Sequence, residues 1–162
     1  MGNITNGIKP EWQTMIDGDY NLECELDMFA EDKLYDDDTK NKFVNVLGDN
    51  NLLNNEDAYA DYSADNKGCN IDNPFTIDTD DYFCNVKFEY DIVEWISHYF
   101  AARFIDIEFK GQQLTFHNDK PIDCLSFEVK DYENDSTSTE NYYFDITEGM
   151  KQRDAFFKKM RT

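Results

Sequence analysis

The chain has 162 residues, of which 35 are Asp or Glu and only 15 are Lys or Arg, so its formal net charge is −20. This charge disfavours direct nucleic-acid binding, because affinity for DNA or RNA depends on cationic side chains that displace phosphate counterions. It also disfavours binding to anionic membrane surfaces. The 13 Phe and 10 Tyr argue against a disordered acidic tract and indicate an ordered core.

The length fits one domain, and no internal repeat or sharp linker divides the chain. We therefore expect a single acidic α+β domain over residues 1–162, with a long polar loop or excursion at about 49–80. No apolar run reaches the roughly 20 residues that cross a bilayer, and residues 1–8 lack a signal-peptide pattern. The four cysteines form no Cys-x-x-Cys pair, which is typical of a reduced protein. We expect a cytoplasmic protein of a bacterial cell, encoded by the bacterium or by a phage.

The N-terminal part predicts two helices separated by a strand. Pro10 suits the first turn of a short helix. From Tyr20 to Met28, apolar and polar residues alternate, which predicts a β-strand with one apolar and one acidic face. The second helix is expected to begin near Asp38 and to end at a C-terminal glycine, Gly48.

The C-terminal half predicts most of the sheet. Alternation from Tyr82 to Tyr90 indicates a strand, and Asp91 followed by Glu94 resembles a capping box that opens a helix. The remaining expected features are strands at 105–109, 114–116, 125–129 and 142–146, turns at 110–112 and 118–121, a polar loop at 135–140, and a terminal helix with Met150, Phe157 and Met160 facing inward. The sum is an α+β fold: a mostly antiparallel sheet of about five or six strands with helices packed on one face.

The predicted first strand carries a row of carboxylates. Outward residues on a strand lie about 6.7 Å apart, so Glu23, Glu25 and Asp27 would repeat negative charge regularly, as duplex DNA does. Asp36, Asp37 and Asp38 follow and would extend the negative surface. An ordinary solvated strand face is the alternative interpretation. The net charge favours mimicry, because it far exceeds the magnitude of about 2–8 that suffices for solubility.

Motifs for metal binding and catalysis are weak. The segments that start at Asp17 and Asp61 begin like calcium-binding loops, but Leu22 and Asn66 stand at the glycine position. Glu94 and His98 lie four residues apart on the predicted helix, yet no third ligand has comparable spacing. The chain contains no G-x-S-x-G, H-E-x-x-H or glycine-rich phosphate motif. We expect no cofactor, no metal and no enzymatic activity.

The leading hypothesis is a non-enzymatic inhibitor whose acidic surface binds the basic, nucleic-acid-binding cleft of another protein. The partner would be a nuclease, a restriction or CRISPR effector, or a toxin, which covers anti-restriction, anti-CRISPR and toxin-immunity functions. Aromatic side chains beside the acids would slow release. The predicted partner-binding residues are Glu23, Glu25, Asp27, Asp36, Asp37, Asp38, Tyr59, Asp61 and Tyr62.

Two alternatives stay open. The first is an acidic protein–protein adaptor or structural module without charge mimicry. The second is a metal-dependent enzyme that uses Glu94 and His98. The oligomeric state is left open by the sequence.

Overall fold

The structure is a computed structural model that describes residues 7–53, 66–100 and 105–160. In these ranges five α-helices and a four-stranded mixed sheet are present, which confirms the α+β class. The chain divides into two compact units, Met1–Asp57 and Ala58–Thr162. The single-domain organisation stays a prediction.

The first unit contains three helices: α1 (Pro10–Asp17), α2 (Tyr20–Asp32) and α3 (Asp37–Asp49). The predicted helix at Pro10 is confirmed, with proline at its start. The rings of Phe29 and Phe43 stack with centroids 5.2 Å apart, which joins α2 to α3. The buried apolar side chains of these helices are Ile16, Leu22, Leu26, Ala30, Phe43, Val44, Val46 and Leu47.

The predicted strand at 20–28 is wrong, because this segment is helix α2. Asp19 caps the helix by accepting a hydrogen bond from the Leu22 backbone N–H at 3.1 Å. Leu22 and Leu26, four residues apart, are buried, whereas Tyr20 and Met28 are 78% and 63% exposed. The period of burial is therefore helical, and α2 contains none of the β-branched residues that favour strands.

Helix α3 forms close to where it is predicted, but its end differs. Gly48 lies inside the last turn, where an added Cβ would come within 2.3 Å of the Trp12 indole. The left-handed residue after the helix is Asn51, with φ of 61°. The Leu52 N–H donates to the Leu47 carbonyl at 2.8 Å and the Asn51 N–H donates to the Gly48 carbonyl at 3.0 Å. This is a Schellman ending, with asparagine in the position that glycine usually takes.

The second unit contains the sheet and two helices. Its elements are β1 (Phe75–Thr76), α4 (Tyr82–Trp95), a π-helical turn (Ile96–Phe100), β2 (Ile105–His117), β3 (Lys120–Asp131), β4 (Ser136–Asp145) and α5 (Thr147–Met160). The strand order is β1-β4-β3-β2, with β2, β3 and β4 antiparallel and β1 parallel to β4. The described sheet is mostly antiparallel, as predicted, but has four strands rather than five or six.

Two predicted breaks in the sheet are wrong. The turn at 110–112 is a bulge between Phe109 and Gly111 inside the single strand β2, because β3 pairs with β2 on both sides of it. The polar loop at 135–140 lies almost wholly in β4, where residues 136–139 stay exposed while their backbone pairs with β3. The turn after β2 is confirmed, and both Asn118 and Asp119 have positive φ, as a two-residue type I′ hairpin requires.

The predicted strand at 82–90 is also wrong, because this segment begins helix α4. Asp81 is the N-cap and accepts from the backbone N–H of Phe83 at 2.9 Å. Asp91, predicted to open the helix, lies buried inside it. The buried face of α4 includes the polar residues Asn85 and Glu89. Because these residues interrupt the helical repeat of apolar side chains, the apolar pattern alone suggested a strand.

Helix α4 covers one face of the sheet. The Tyr90 ring contacts the Phe109 ring of β2 with centroids 5.3 Å apart. The Asn85 amide N–H donates to the Gln152 side chain of α5 at 2.7 Å, so the two helices are joined. Helices on this face were predicted, but Phe157 and Met160 of α5 are exposed rather than directed inward.

Candidate functional site

The three carboxylates predicted to form a regular row lie on α2 and are all exposed. Successive helical residues are rotated by about 100°, so Glu23 and Asp27 share a face while Glu25 points away from it. The expected spacing of about 6.7 Å is therefore wrong. Asp27 also forms an ion pair with Lys40 of α3. The negative charge is exposed, but it is spread around a helix rather than aligned along a strand.

The second predicted group lies at the start of α3 and stabilises that helix. Asp36 is the N-cap and accepts from the Thr39 backbone N–H at 2.7 Å. This hydrogen bond lowers the pKa of the Asp36 carboxyl. Asp37 and Asp38 occupy the first turn, where negative charge is favourable beside the helix N-terminus, and Asp38 pairs with Lys42 at 2.8 Å. All three predicted carboxylates remain exposed.

The third predicted group, Tyr59, Asp61 and Tyr62, lies outside the described residues. Glu94 is in α4, whereas the side chain of His98 is outside the described part, so their pairing stays a prediction. Among the residues that the structure does describe, no group of three or more His, Cys, Asp or Glu side chains is placed to hold a metal ion.

A cavity of about 220 Å³ lies in the second unit, among α4, β2, β3 and α5. Its wall is mostly apolar, and five of its side chains can form strong hydrogen bonds through amide, carboxyl or guanidinium groups. The residues that line it are Ile77, Tyr82, Asn85, Val86, Glu89, Gln112, Leu114, Asp123, Ile146, Gly149, Met150 and Arg153. A concave apolar pocket with a few convergent polar groups is the usual form of a small-molecule site.

Two acidic side chains meet at the inner end of this cavity. Glu89 of α4 is 5% exposed and Asp123 of β3 is 1% exposed. Their carboxyl groups lie close together, since Asp123 is, after burial, the main influence on the pKa of Glu89. Asp123 also accepts a hydrogen bond from the Gln112 amide N–H, and the Gln112 carbonyl accepts from the Tyr90 hydroxyl at 3.2 Å.

Glu89 holds a proton at neutral pH. The pKa of Glu89 is raised from its ordinary value of 4.5 to about 10, mainly by burial and also by the hydrogen bond and negative charge of Asp123. Two carboxylates in one buried site repel each other when both are ionised, so a single shared proton is favoured. The pair can therefore donate a hydrogen bond, accept one, or release a proton when a cation approaches.

The other polar groups of the cavity differ in how many hydrogen bonds they already form within the protein. Asn85 donates to the Thr79 carbonyl at 3.1 Å and to Gln152 at 2.7 Å, and its own carbonyl accepts from the Thr79 N–H at 3.0 Å. In contrast, the Nε of Arg153 is buried without a hydrogen-bond partner among the described residues. Glu89 Oε1 and Asp123 Oδ1 likewise have no hydrogen-bond partner among the described residues.

The prediction from sequence missed the acid pair, although the sequence pattern places both residues at buried positions. Asp123 precedes Leu125, Phe127 and Val129 at the same period of two, so it falls on the buried face of β3. Glu89 lies one helical turn before Val93 and one after Asn85, all on the buried side of α4. The acid pair would have been indicated by one carboxylate at a core position of a strand and another at a core position of a helix.

Comparison of the chain with protein-family models, curated proteins and solved structures finds no significant match. Among the described helices, none combines the length and the apolar character needed to cross a bilayer.

Proposed function

We propose that this protein is a non-enzymatic acidic inhibitor that occupies the basic, nucleic-acid-binding cleft of another protein. The observation that carries the proposal is the net charge of −20 together with the exposed carboxylates of α2 and α3. The partner class is a nuclease, a restriction or CRISPR effector, or a toxin, since each must hold phosphates with Lys and Arg.

The first unit concentrates this charge. Residues 7–53 contain 12 Asp or Glu against four Lys, and none of the 12 acidic side chains is buried. A surface of one sign raises the association rate with an oppositely charged cleft by about 10- to 1,000-fold at low salt. It also makes the encounter sensitive to ionic strength, because exposed charges are screened beyond about 8 Å at physiological salt.

Exposed apolar side chains stand among these carboxylates. Tyr20 and Met28 of α2 and Leu34, in the turn after it, are largely exposed. Interface energy is concentrated in a few apolar or aromatic anchors surrounded by polar contacts. In this arrangement the carboxylates speed the encounter with the partner, and the apolar side chains slow its release.

The test uses two variants of equal charge. The first neutralises α2 and α3 with Glu23→Gln, Glu25→Gln and Asp37→Asn. The control neutralises three exposed acids of the sheet and its turn with Glu108→Gln, Glu128→Gln and Glu133→Gln. Binding to purified nucleases, restriction enzymes and CRISPR effectors is measured by biolayer interferometry in 50, 150 and 500 mM NaCl, with duplex DNA as competitor.

We expect duplex DNA to compete with binding and rising salt to weaken it. The first variant should lose more affinity than the control. Equal losses in both variants would indicate that net charge alone matters and would contradict a defined acidic surface. Binding that is insensitive to salt and to both variants would favour the acidic adaptor instead. That result would make charge mimicry wrong.

A further inference from the structure

We propose that the cavity of the second unit binds a small zwitterion, a free aliphatic amino acid, with its ammonium group at the Glu89–Asp123 pair and its carboxylate at Arg153. This site is separate from the acidic surface of the first unit, so the inference does not depend on the proposed inhibitor function.

The polar groups of the cavity define the ligand's polarity. Asn85 and Gln112 form internal hydrogen bonds. The buried side-chain atoms left without a partner among the described residues are Glu89 Oε1, Asp123 Oδ1 and Arg153 Nε. Buried polar groups without partners are costly, at about 1–3 kcal/mol each. A ligand with several donors at one end and an acceptor at the other supplies partners for all three groups. An ammonium group has three donors, and a carboxylate accepts from an arginine N–H.

The size and the apolar wall of the cavity indicate the size and the side-chain type of the ligand. Its volume of about 220 Å³ equals the liquid volume of roughly seven water molecules. This is the size range of a free amino acid. The apolar wall, which includes Ile77, Ile146 and Met150, favours an aliphatic side chain over a polar one.

The backbone leaves this space open. Gly149 of α5 is buried and lines the cavity, and a Cβ built on it has no neighbouring atom within 4 Å. Val86 and Leu114, 41% and 46% exposed, also line the cavity and form its rim. The site is therefore closed around the acid pair and open at one side, as entry of a ligand from solvent requires.

Binding of an ammonium group should release a proton. The positive charge takes the place of the proton shared by Glu89 and Asp123, which then leaves to the buffer while both carboxylates stay ionised. Arg153 is the cationic group that lines the cavity from helix α5. One of its terminal nitrogens pairs with Asp154 at 3.5 Å, and its buried Nε is left to donate to the ligand's carboxylate. The stoichiometry is at most one proton per bound ligand.

The test is isothermal titration calorimetry on the full chain at pH 7 with L-leucine and two analogues that each lack one charged group. 3-Methylbutylamine has no carboxylate, and 4-methylpentanoate has no ammonium. We expect leucine to bind at least 10-fold more tightly than either analogue. Repeating the leucine titration in phosphate and in Tris should reveal proton release, because these buffers differ in ionisation enthalpy.

Three variants separate binding from folding. Glu89→Gln should weaken leucine binding by at least 10-fold and abolish proton release, and Gly149→Val should weaken binding by filling the cavity. Glu128→Gln, on the opposite face of β3, should leave both unchanged. Circular dichroism on each variant verifies that the fold is retained.

The inference is overturned if valine, leucine, isoleucine and methionine all fail to bind at 10 mM. It is equally overturned if an analogue binds as tightly as leucine, or if folded Glu89→Gln and Gly149→Val proteins bind leucine like the wild type. None of these results bears on salt-dependent binding of a basic protein, so failure here is distinguishable from failure of the inhibitor proposal.

Discussion

Replacement of Glu89 by glutamine should change how the protein's stability depends on pH. Glu89 is buried in α4 and keeps its proton when folded, with a pKa of about 10, whereas an unfolded chain loses that proton near 4.5. Stability from this group is therefore complete below pH 4.5 and falls as pH rises toward 10, because the folded state binds more protons than the unfolded state. Glutamine does not titrate, and its amide can still donate to Asp123.

The size of the effect follows from the shift. Each pH unit inside this window costs about 1.4 kcal/mol of unfolding free energy. From pH 4.5 to pH 7 the loss is at most about 3 kcal/mol. The charged groups that line the cavity with Glu89 are Asp123 from β3, which increases the penalty on ionisation, and Arg153 from α5, which is ion-paired with Asp154 at 3.5 Å. The Glu89→Gln protein should become progressively more stable than the wild type as pH rises.

Urea unfolding at pH 5, 6, 7 and 8, followed by circular dichroism, measures this difference. The many exposed carboxylates titrate in both proteins, so their contribution cancels when the variant is subtracted from the wild type. Glu128→Gln serves as the control, because it removes an exposed acid from the other face of β3. Parallel stability curves for wild type and Glu89→Gln across this range would refute the protonated acid pair.

Two further predictions concern backbone positions and are measured by urea unfolding at pH 7. Gly68→Ala should destabilise the second unit by about 2–4 kcal/mol. Gly68 has φ of +87°, and the new Cβ would lie 2.0 Å from the buried Phe75 ring. A loss of stability below about 1 kcal/mol would contradict that packing. Asn51→Ala should cost about 1 kcal/mol in the left-handed region, whereas Asn51→Gly should restore most of it. If alanine and glycine were equally tolerated, the Schellman ending of α3 would be wrong.

The sequence alone determined the features that depend on short-range chemistry. Pro10 at a helix start, the strand from Leu125 to Val129, and the tight turn at Asn118 and Asp119 were all predicted correctly. In each case neighbouring residues dictate the backbone, through a fixed φ, an alternating apolar face or tolerance of positive φ. The predicted acidic residues are likewise exposed wherever the structure describes them, because carboxylates are rarely buried without partners.

Tertiary structure decided whether an alternating segment became helix or strand. From Tyr20 to Met28 in α2 and from Tyr82 to Tyr90 in α4 every second residue is apolar. The residues buried there nevertheless lie at helical spacing: Leu22 and Leu26 in α2, and Asn85, Phe88 and Glu89 in α4. The choice depends on which face packs against neighbouring elements, and local propensity is too weak to decide it. The regular carboxylate row on Glu23, Glu25 and Asp27 was wrong for this reason.

The acid pair depended on tertiary structure most of all. Glu89 and Asp123 are 34 positions apart in the sequence, and each resembles any other carboxylate of an acidic chain. Folding places α4 on the inward face of β3, removes both groups from water and leaves them one proton to share. The sequence determines how many carboxylates the protein has, whereas packing decides which two lose their solvent and acquire distinct chemistry, because desolvation depends on what surrounds a group in space.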